Sequence, residues 1–259
     1  MAQTLTPGLV SITFRSLEPQ EIIRLAGQAG LQAIEWGGDV HVPPGATNRA
    51  RDVGRWTREA GLTVSGYGSY YRLGDTRGDA VPFEAVLESA VALGAPTIRV
   101  WAGGKDSVAC SVDERRHVIA DARRVADLAA RSGISISLEY HAGTLTDSPA
   151  SVRALLSELA HPQIEFLWQP AHGESAEDNV ARLVEVLPRL RNVHVFHWWP
   201  TDRDRRPLSE GEERWHEYIR LVRASGRRFD FLLEFVAGDA RTQLLEDAGT
   251  LRRLLSTQP

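Results

Sequence analysis

The sequence predicts a single-domain α/β protein, a (β/α)8 barrel of the TIM type over residues 1–259. Three observations predict it. Short apolar runs alternate with longer amphipathic stretches from end to end. Eight such runs occur, with no antiparallel hairpin signal between them. Glycine recurs where an amphipathic stretch gives way to the next apolar run, as at Gly30, Gly61, Gly94, Gly133 and Gly226, the punctuation of a helix end. The length of 259 residues suits one barrel, since such barrels use about 250 residues as one domain.

The elements follow in order. Gly8–Thr13 is the first strand-like run, and Ile22, Ile23, Ala26 and Ala29 after it repeat at helical spacing. Gln32–Trp36, Thr63–Tyr67 and Thr97–Trp101 are the next three runs. A long helical stretch then carries Val118, Ala122, Val125, Leu128 and Ala129. Ser135–Glu139, Ile164–Trp168, Asn192–Phe196 and Phe229–Phe235 complete the set. No G-x-G-x-x-G follows a strand and no Walker motif occurs, so a dinucleotide-binding or P-loop reading lacks its motif.

Composition narrows the function classes. Twenty-two glycines and 13 prolines are ordinary for a globular chain and exclude collagen-like or low-complexity structure. A net charge of −4 offers no electrostatic reason for binding nucleic acid or an anionic membrane. The single cysteine, Cys110, excludes an intrachain disulfide and a cysteine-rich zinc site, and fits a reducing compartment. Without a basic-then-apolar leader or a run of about 18 apolar residues, the expectation is a soluble, cytoplasmic protein. Lys105 is the lone lysine and would have to serve any Schiff-base chemistry.

Active sites of such barrels form at the C-terminal ends of the strands. Glu139-Tyr140-His141 ends the fifth run, Gln169-Pro170-Ala171-His172 the sixth, His194 the seventh with His197 just beyond, and Glu234 the eighth. Arg99 and Trp101 end the fourth, and Glu35-Trp36, with Asp39 and His41 beyond, the second. Any one of these has an ordinary structural explanation, as a helix cap, an ion-pair partner or a packed histidine. Together, the last four strands each deliver a metal-competent side chain to one rim, and two carboxylates in one mouth call for a compensating cation. Two carboxylates, one amide oxygen and one imidazole suit Mn²⁺ or Mg²⁺, with Co²⁺ or Zn²⁺ admitted by the histidine.

These residues carry a resemblance. Leu138-Glu139-Tyr140-His141, Gln169-x-x-His172, Asn192-Val193-His194-Val195, Pro207-Leu208-Ser209-Glu210-Gly211 and Leu233-Glu234-Phe235 resemble the xylose isomerase-like barrels, the superfamily of sugar isomerases and epimerases that includes the endonuclease IV branch. The resemblance runs over nearly the whole chain. It implies one divalent cation held by Glu139, Gln169, His194 and Glu234, with Glu139 and Glu234 as the acid/base pair and His172 touching substrate. Gln169 departs from the pattern, which has aspartate there, and an amide brings no charge to a cation. Strand alternation puts His194 and His197 on opposite faces; His194 aligns better with the pattern, and His197 is the other candidate.

The function expected by resemblance is metal-dependent isomerisation or epimerisation of a sugar or sugar derivative by proton abstraction next to a carbonyl. The same first step serves a lyase or dehydratase acting on an oxidised glycoside or cyclitol. A non-catalytic sugar-binding barrel with a degenerate site is the alternative from a different class. DNA cleavage would need more rim histidines and a basic face. Trp36, Trp101, Trp168, Trp198 and Trp199 lie at or just past strand ends, where an indole packs on a sugar ring or simply on the barrel. Arg99 can bind substrate or satisfy an inward carboxylate such as Glu139, and the Tyr67–Tyr71 and Trp101–Lys105 segments read as loops that can line a pocket. Trp36, Trp101, His41, His141 and His197 join His172 and Arg99 as candidate substrate contacts. The expected partner is a small-molecule carbohydrate, with neither nucleic acid nor membrane, on a monomer or homo-oligomer.

Overall fold

A computed structural model describes residues 5–76 and 80–257. Its strands are β1 (Leu5–Val10), β2 (Ala33–Gly37), β3 (Thr63–Arg72), β4 (Thr97–Trp101), β5 (Ser135–Glu139), β6 (Ile164–Trp168), β7 (Leu190–Val195), β8 (His197–Trp198), β9 (Arg205–Arg206) and β10 (Phe229–Leu233). All but β8 and β9 close into a parallel barrel in the order β1-β10-β7-β6-β5-β4-β3-β2. Closure falls at β1, which pairs Leu5 with Phe229 on one side and Gly8 with Ala33 on the other. The helices are α1 (Pro19–Gln28), α2 (Thr47–Glu59), α3 (Phe83–Leu93), α4 (Val112–Ala130), α5 (Pro149–Glu158), α6 (Ala176–Val186), α7 (Glu212–Ala224) and α8 (Arg241–Ser256). The chain is a (β/α)8 TIM barrel in one domain.

Local chemistry sets where helices begin and end. Ser111 Oγ accepts from Glu114 N while Glu114 Oε2 accepts from Ser111 N, a capping box at the start of α4. The five punctuating glycines all have positive φ, between 67° and 77°, which closes each helix in a backbone region that side chains disfavour.

Alternation along each strand divides the barrel into two environments. Ile34, Ile98, Ile136, Phe166, Val193 and Phe231 face the helices and share one core with Ile22, Val53, Val86, Val125 and Leu251. Full burial of side chains of this size stabilises by about 1.5–3 kcal/mol each. Inside the barrel lies a small apolar cluster, Val10, Ile12, Ala33 and Leu232. Glu35, Arg99, Ser137 and His194 are buried there too, so the interior is polar at mid-height.

Several element boundaries differ from the sequence expectation. The first strand ends at Val10, and Ser11–Phe14 form a 3₁₀ turn instead of continuing to Thr13. Its Ile12 and Phe14 are buried, and a short apolar run reads alike as strand or buried turn. Tyr67–Tyr71 are part of β3, which is ten residues long, rather than a loop. β10 stops at Leu233, two residues short of the expected Phe235. An antiparallel hairpin, β8 with β9, sits outside the barrel, in strands of two residues each that leave no alternation to read. Among the described residues no helix is long and apolar enough to cross a membrane.

Candidate active site

Inward positions near the C-terminal ends of β2, β4, β5, β7 and β10 meet at the barrel mouth. Arg99 on β4 stands at the centre, its side chain 3% exposed. Its Nε donates to Glu35 Oε1 at 3.0 Å, and its Nη1 donates to Glu139 Oε2. Trp101 Nε1 donates to the same Glu139 oxygen. On β7, His194 Nε2 lies 3.2 Å from Glu35 Oε2. His194 Nδ1 lies 3.2 Å from Glu234 Oε2, close enough for an ion pair but out of line for a hydrogen bond, so this nitrogen has no hydrogen-bond partner among the described residues.

The last turn of β10 aims Glu234. Glu234 N donates to Val195 O at 3.0 Å. The next residue, Phe235, has φ +52°, a left-handed conformation uncommon for a bulky side chain, and its N–H donates to Thr13 Oγ1 at 3.1 Å. The 3₁₀ turn after β1 therefore holds the kink that ends the strand and presents Glu234.

Burial and pairing compete at every charge. Burial pushes Glu35 up, but His194 and Arg99 outweigh it and hold the carboxyl down at about 2. Glu139 is likewise raised by burial and lowered further by Arg99, His194, His141 and the Trp101 hydrogen bond, leaving it below the usual carboxylate range. Burial lowers His194, and Glu234 and Glu35 lift it to about 10. Glu35, Glu139 and Glu234 face Arg99 and His194, one more acid than base.

The side chains expected to hold a metal, Glu139, Gln169, His194 and Glu234, are all buried at this mouth. With Nε2 against Glu35, His194 presents Nδ1 beside Glu234, as when a second carboxylate orients a metal-binding imidazole. Gln169, 7% exposed past the end of β6 between the strands of Glu139 and His194, buries an Oε1 with no hydrogen-bond partner among the described residues. The excess acid also favours a cation. Among the described residues no three His, Cys, Asp or Glu side chains already form a metal-binding group. Arg99 and Trp101 hold Glu139 Oε2 in this arrangement.

The other sequence candidates are distributed around and away from this cluster. His172 stacks on Trp198, with centroids 4.5 Å apart and planes at 11°, within electrostatic reach of His141 and Glu234; burial lowers its pKa. His141 lies 5.4 Å from the Trp101 ring and borders a cavity of about 720 Å³ with Arg72, Gly103, Lys105, His117 and Gly143. Glu139, Gln169, His194 and Glu234 do not line that cavity. His41 is buried, with Nδ1 2.9 Å from Ser11 Oγ; burial lowers its pKa. His197 belongs to the β8 hairpin strand and packs on Gly211, so His194, not His197, occupies the cluster.

Trp36 is the clear displacement from expectation. Its indole points out of the barrel and donates to Thr57 Oγ1 of α2 at 3.2 Å, because alternation turns Glu35 inward and its neighbour outward. Trp168 likewise packs on Trp215 and Tyr218 of α7. Sequence reasoning passed over Glu35, although the same alternation that placed Arg99 and Glu139 applied to it. Tyr70 was also missed: its hydroxyl accepts from Arg15 Nη2 at 2.8 Å, and its ring lies 5.4 Å from Trp101.

A 98-residue stretch is 33% identical to the 3-dehydroshikimate dehydratase of Bacillus anthracis, covering 38% of this chain and 35% of that relative. A Bacillus anthracis protein described as the probable 3-DHS dehydratase AsbF superposes with a TM-score of 0.77 at 22% identity, over 96% of this chain and 99% of the other. A xylose isomerase-like protein from Mycobacterium smegmatis, in complex with magnesium, gives 0.73 at 18% identity, over 99% of both chains. A D-psicose 3-epimerase, solved in the presence of D-fructose, gives 0.72 at 15%, over 98% of this chain and 100% of that one. The family model described as xylose isomerase-like TIM barrel matches residues 23–254, and the chain belongs to that family.

Proposed function

We propose that the protein is a metal-assisted lyase that removes a proton beside the ketone of a small polyhydroxylated acid and expels a β-hydroxyl as water. One observation carries this reading: Glu139, buried and held ionised by Arg99 and Trp101, shares the mouth with Glu234 across His194. Glu139 is the base. At neutral pH it is in the proton-accepting form, and it takes the C–H proton next to the carbonyl. The electron pair left on carbon becomes the new C=C bond as the β C–O bond breaks, and the proton taken by Glu139 is passed by way of Glu234 to the departing hydroxyl, which leaves as water with both carboxylates ionised again. A divalent cation bound by Glu139, Gln169, His194 and Glu234 would supply Lewis-acid stabilisation of the enolate oxygen. His172 and Trp198 form a flat wall on which the substrate ring rests.

Dehydration is preferred to epimerisation because the relative 33% identical over 98 residues is a 3-dehydroshikimate dehydratase and the structure of TM-score 0.77 is described as a probable one. The test uses 3-dehydroshikimate and, separately, D-fructose, each with Mn²⁺ in D₂O. The expected outcome is loss of water from 3-dehydroshikimate, giving an aromatic product with new near-ultraviolet absorbance, and a fall in rate of about 10²–10⁴-fold in Glu139→Gln. Deuterium entering recovered D-fructose without loss of water would return the epimerase reading. Binding with neither reaction would mark a non-catalytic barrel.

A further inference from the structure

Glu35 is buried at the end of β2, 1% exposed, and both of its oxygens are engaged. Oε1 accepts from Arg99 Nε at 3.0 Å, and Oε2 faces His194 Nε2 at 3.2 Å. The two partners stand on β4 and β7, which are not neighbours in the barrel, so one carboxylate braces side chains from separate parts of the wall. Each partner uses its remaining edge on the mouth. Arg99, held at Nε, gives Nη1 to Glu139; His194, held at Nε2, leaves Nδ1 beside Glu234.

We propose that Glu35 is the positioning residue of this site, orienting both Arg99 and His194 so that Nδ1 of His194 is the nitrogen offered to a metal and Nη1 of Arg99 is the group that holds Glu139. The inference rests on the lyase reading for its purpose but not for its test. Glu35 is buried beneath Arg99 and His194, each of its oxygens engaged by one of them, which makes it a support for those two side chains rather than a substrate contact. The brace needs two acceptor oxygens, because Arg99 Nε and the His194 Nε2–H are both donors. A carboxylate has two and an amide has one. Glu35→Gln keeps the shape but leaves one acceptor, so either a partner is released or His194 moves its proton to Nδ1 and accepts from the amide at Nε2; either outcome changes or removes the hydrogen-bonded Nε2–H.

The experiment compares the full-length wild type with Glu35→Gln by NMR of histidine-¹⁵N-labelled, metal-free protein, and by calorimetric titration with Mn²⁺. The expected wild-type spectrum contains a slowly exchanging, downfield Nε2–H resonance, assigned by its loss in His194→Gln. In Glu35→Gln that resonance moves or disappears, and Mn²⁺ affinity falls 10- to 100-fold, the usual cost of losing the carboxylate behind a ligating histidine. A resonance unmoved in Glu35→Gln, or Mn²⁺ affinity within twofold of wild type, overturns the proposal. Should Glu35→Gln fail to fold, the wild-type spectrum decides, and a His194 without a hydrogen-bonded Nε2–H overturns it. If the wild type itself binds no Mn²⁺, the metal leaves the lyase reading, while the resonance still judges Glu35.

Discussion

Gln169 is neutral in a mouth otherwise built from charges. Its amide oxygen is buried without a hydrogen-bond partner among the described residues, and an amide ligand gives a cation none of the Coulombic attraction a carboxylate would. Gln169→Asp is therefore expected to tighten Mn²⁺ binding by at least about tenfold. Calorimetric titration checks this, and equal or weaker affinity would remove Gln169 from the ligand set. Glu35 shows why single residues are hard to read from sequence. It stands one position from Trp36, both end an apolar run, and an exposed-looking tryptophan attracts more notice than a carboxylate. The half-turn between them sends one to the mouth and the other to α2.

At the scale of elements, helix contacts separate glycines that look alike in the sequence. A Cβ on Gly54 of α2 would lie 2.2 Å from the carbonyl oxygen of Leu93 in α3, a backbone atom that cannot swing aside. Gly54→Ala should cost about 1–3 kcal/mol by forcing the two helices apart. Gly27, inside α1, has nothing within 4 Å of its Cβ position, and Gly27→Ala should gain about 0.5–1 kcal/mol from helix propensity and reduced chain entropy. Urea midpoints of the two variants against wild type test the pair, and matching shifts would contradict the α2–α3 contact. The hairpin β8–β9 is the element that sequence periodicity missed. Its place against the mouth comes from Arg205, whose guanidinium lies 4.9 Å from the Trp198 ring and 4.7 Å from Phe235.

For the whole molecule, the buried charges predict a stability optimum bounded on both sides. Glu35, held at about 2 against an ordinary 4.5, contributes fully above pH 4.5, and that contribution is lost as pH falls towards 2. His194, raised from 6.5 to about 10, contributes fully below pH 6.5, and loses that contribution as pH rises through 10. In chelator, urea midpoints are expected to hold level between about pH 4.5 and 6.5 and to decline on either flank. His194→Gln should lower the plateau and flatten the alkaline flank. An unchanged alkaline decline in that variant would show that His194 is not the group responsible.

What the sequence determined by itself is the barrel and most of the rim. Periodicity and helix-ending glycines are local signals, and alternation within one strand places Arg99, Glu139, His194 and Glu234 on the inward face without any knowledge of neighbours. Tertiary structure alone decided who meets whom. Arg99 neutralises Glu35 and Glu139 because β2, β4 and β5 curve around one axis, and His194 is chosen over His197 because β7 ends at Val195 before the chain leaves for the hairpin. The strength of a buried charge pair depends on distances between residues 40 to 159 positions apart, which no window along the chain contains.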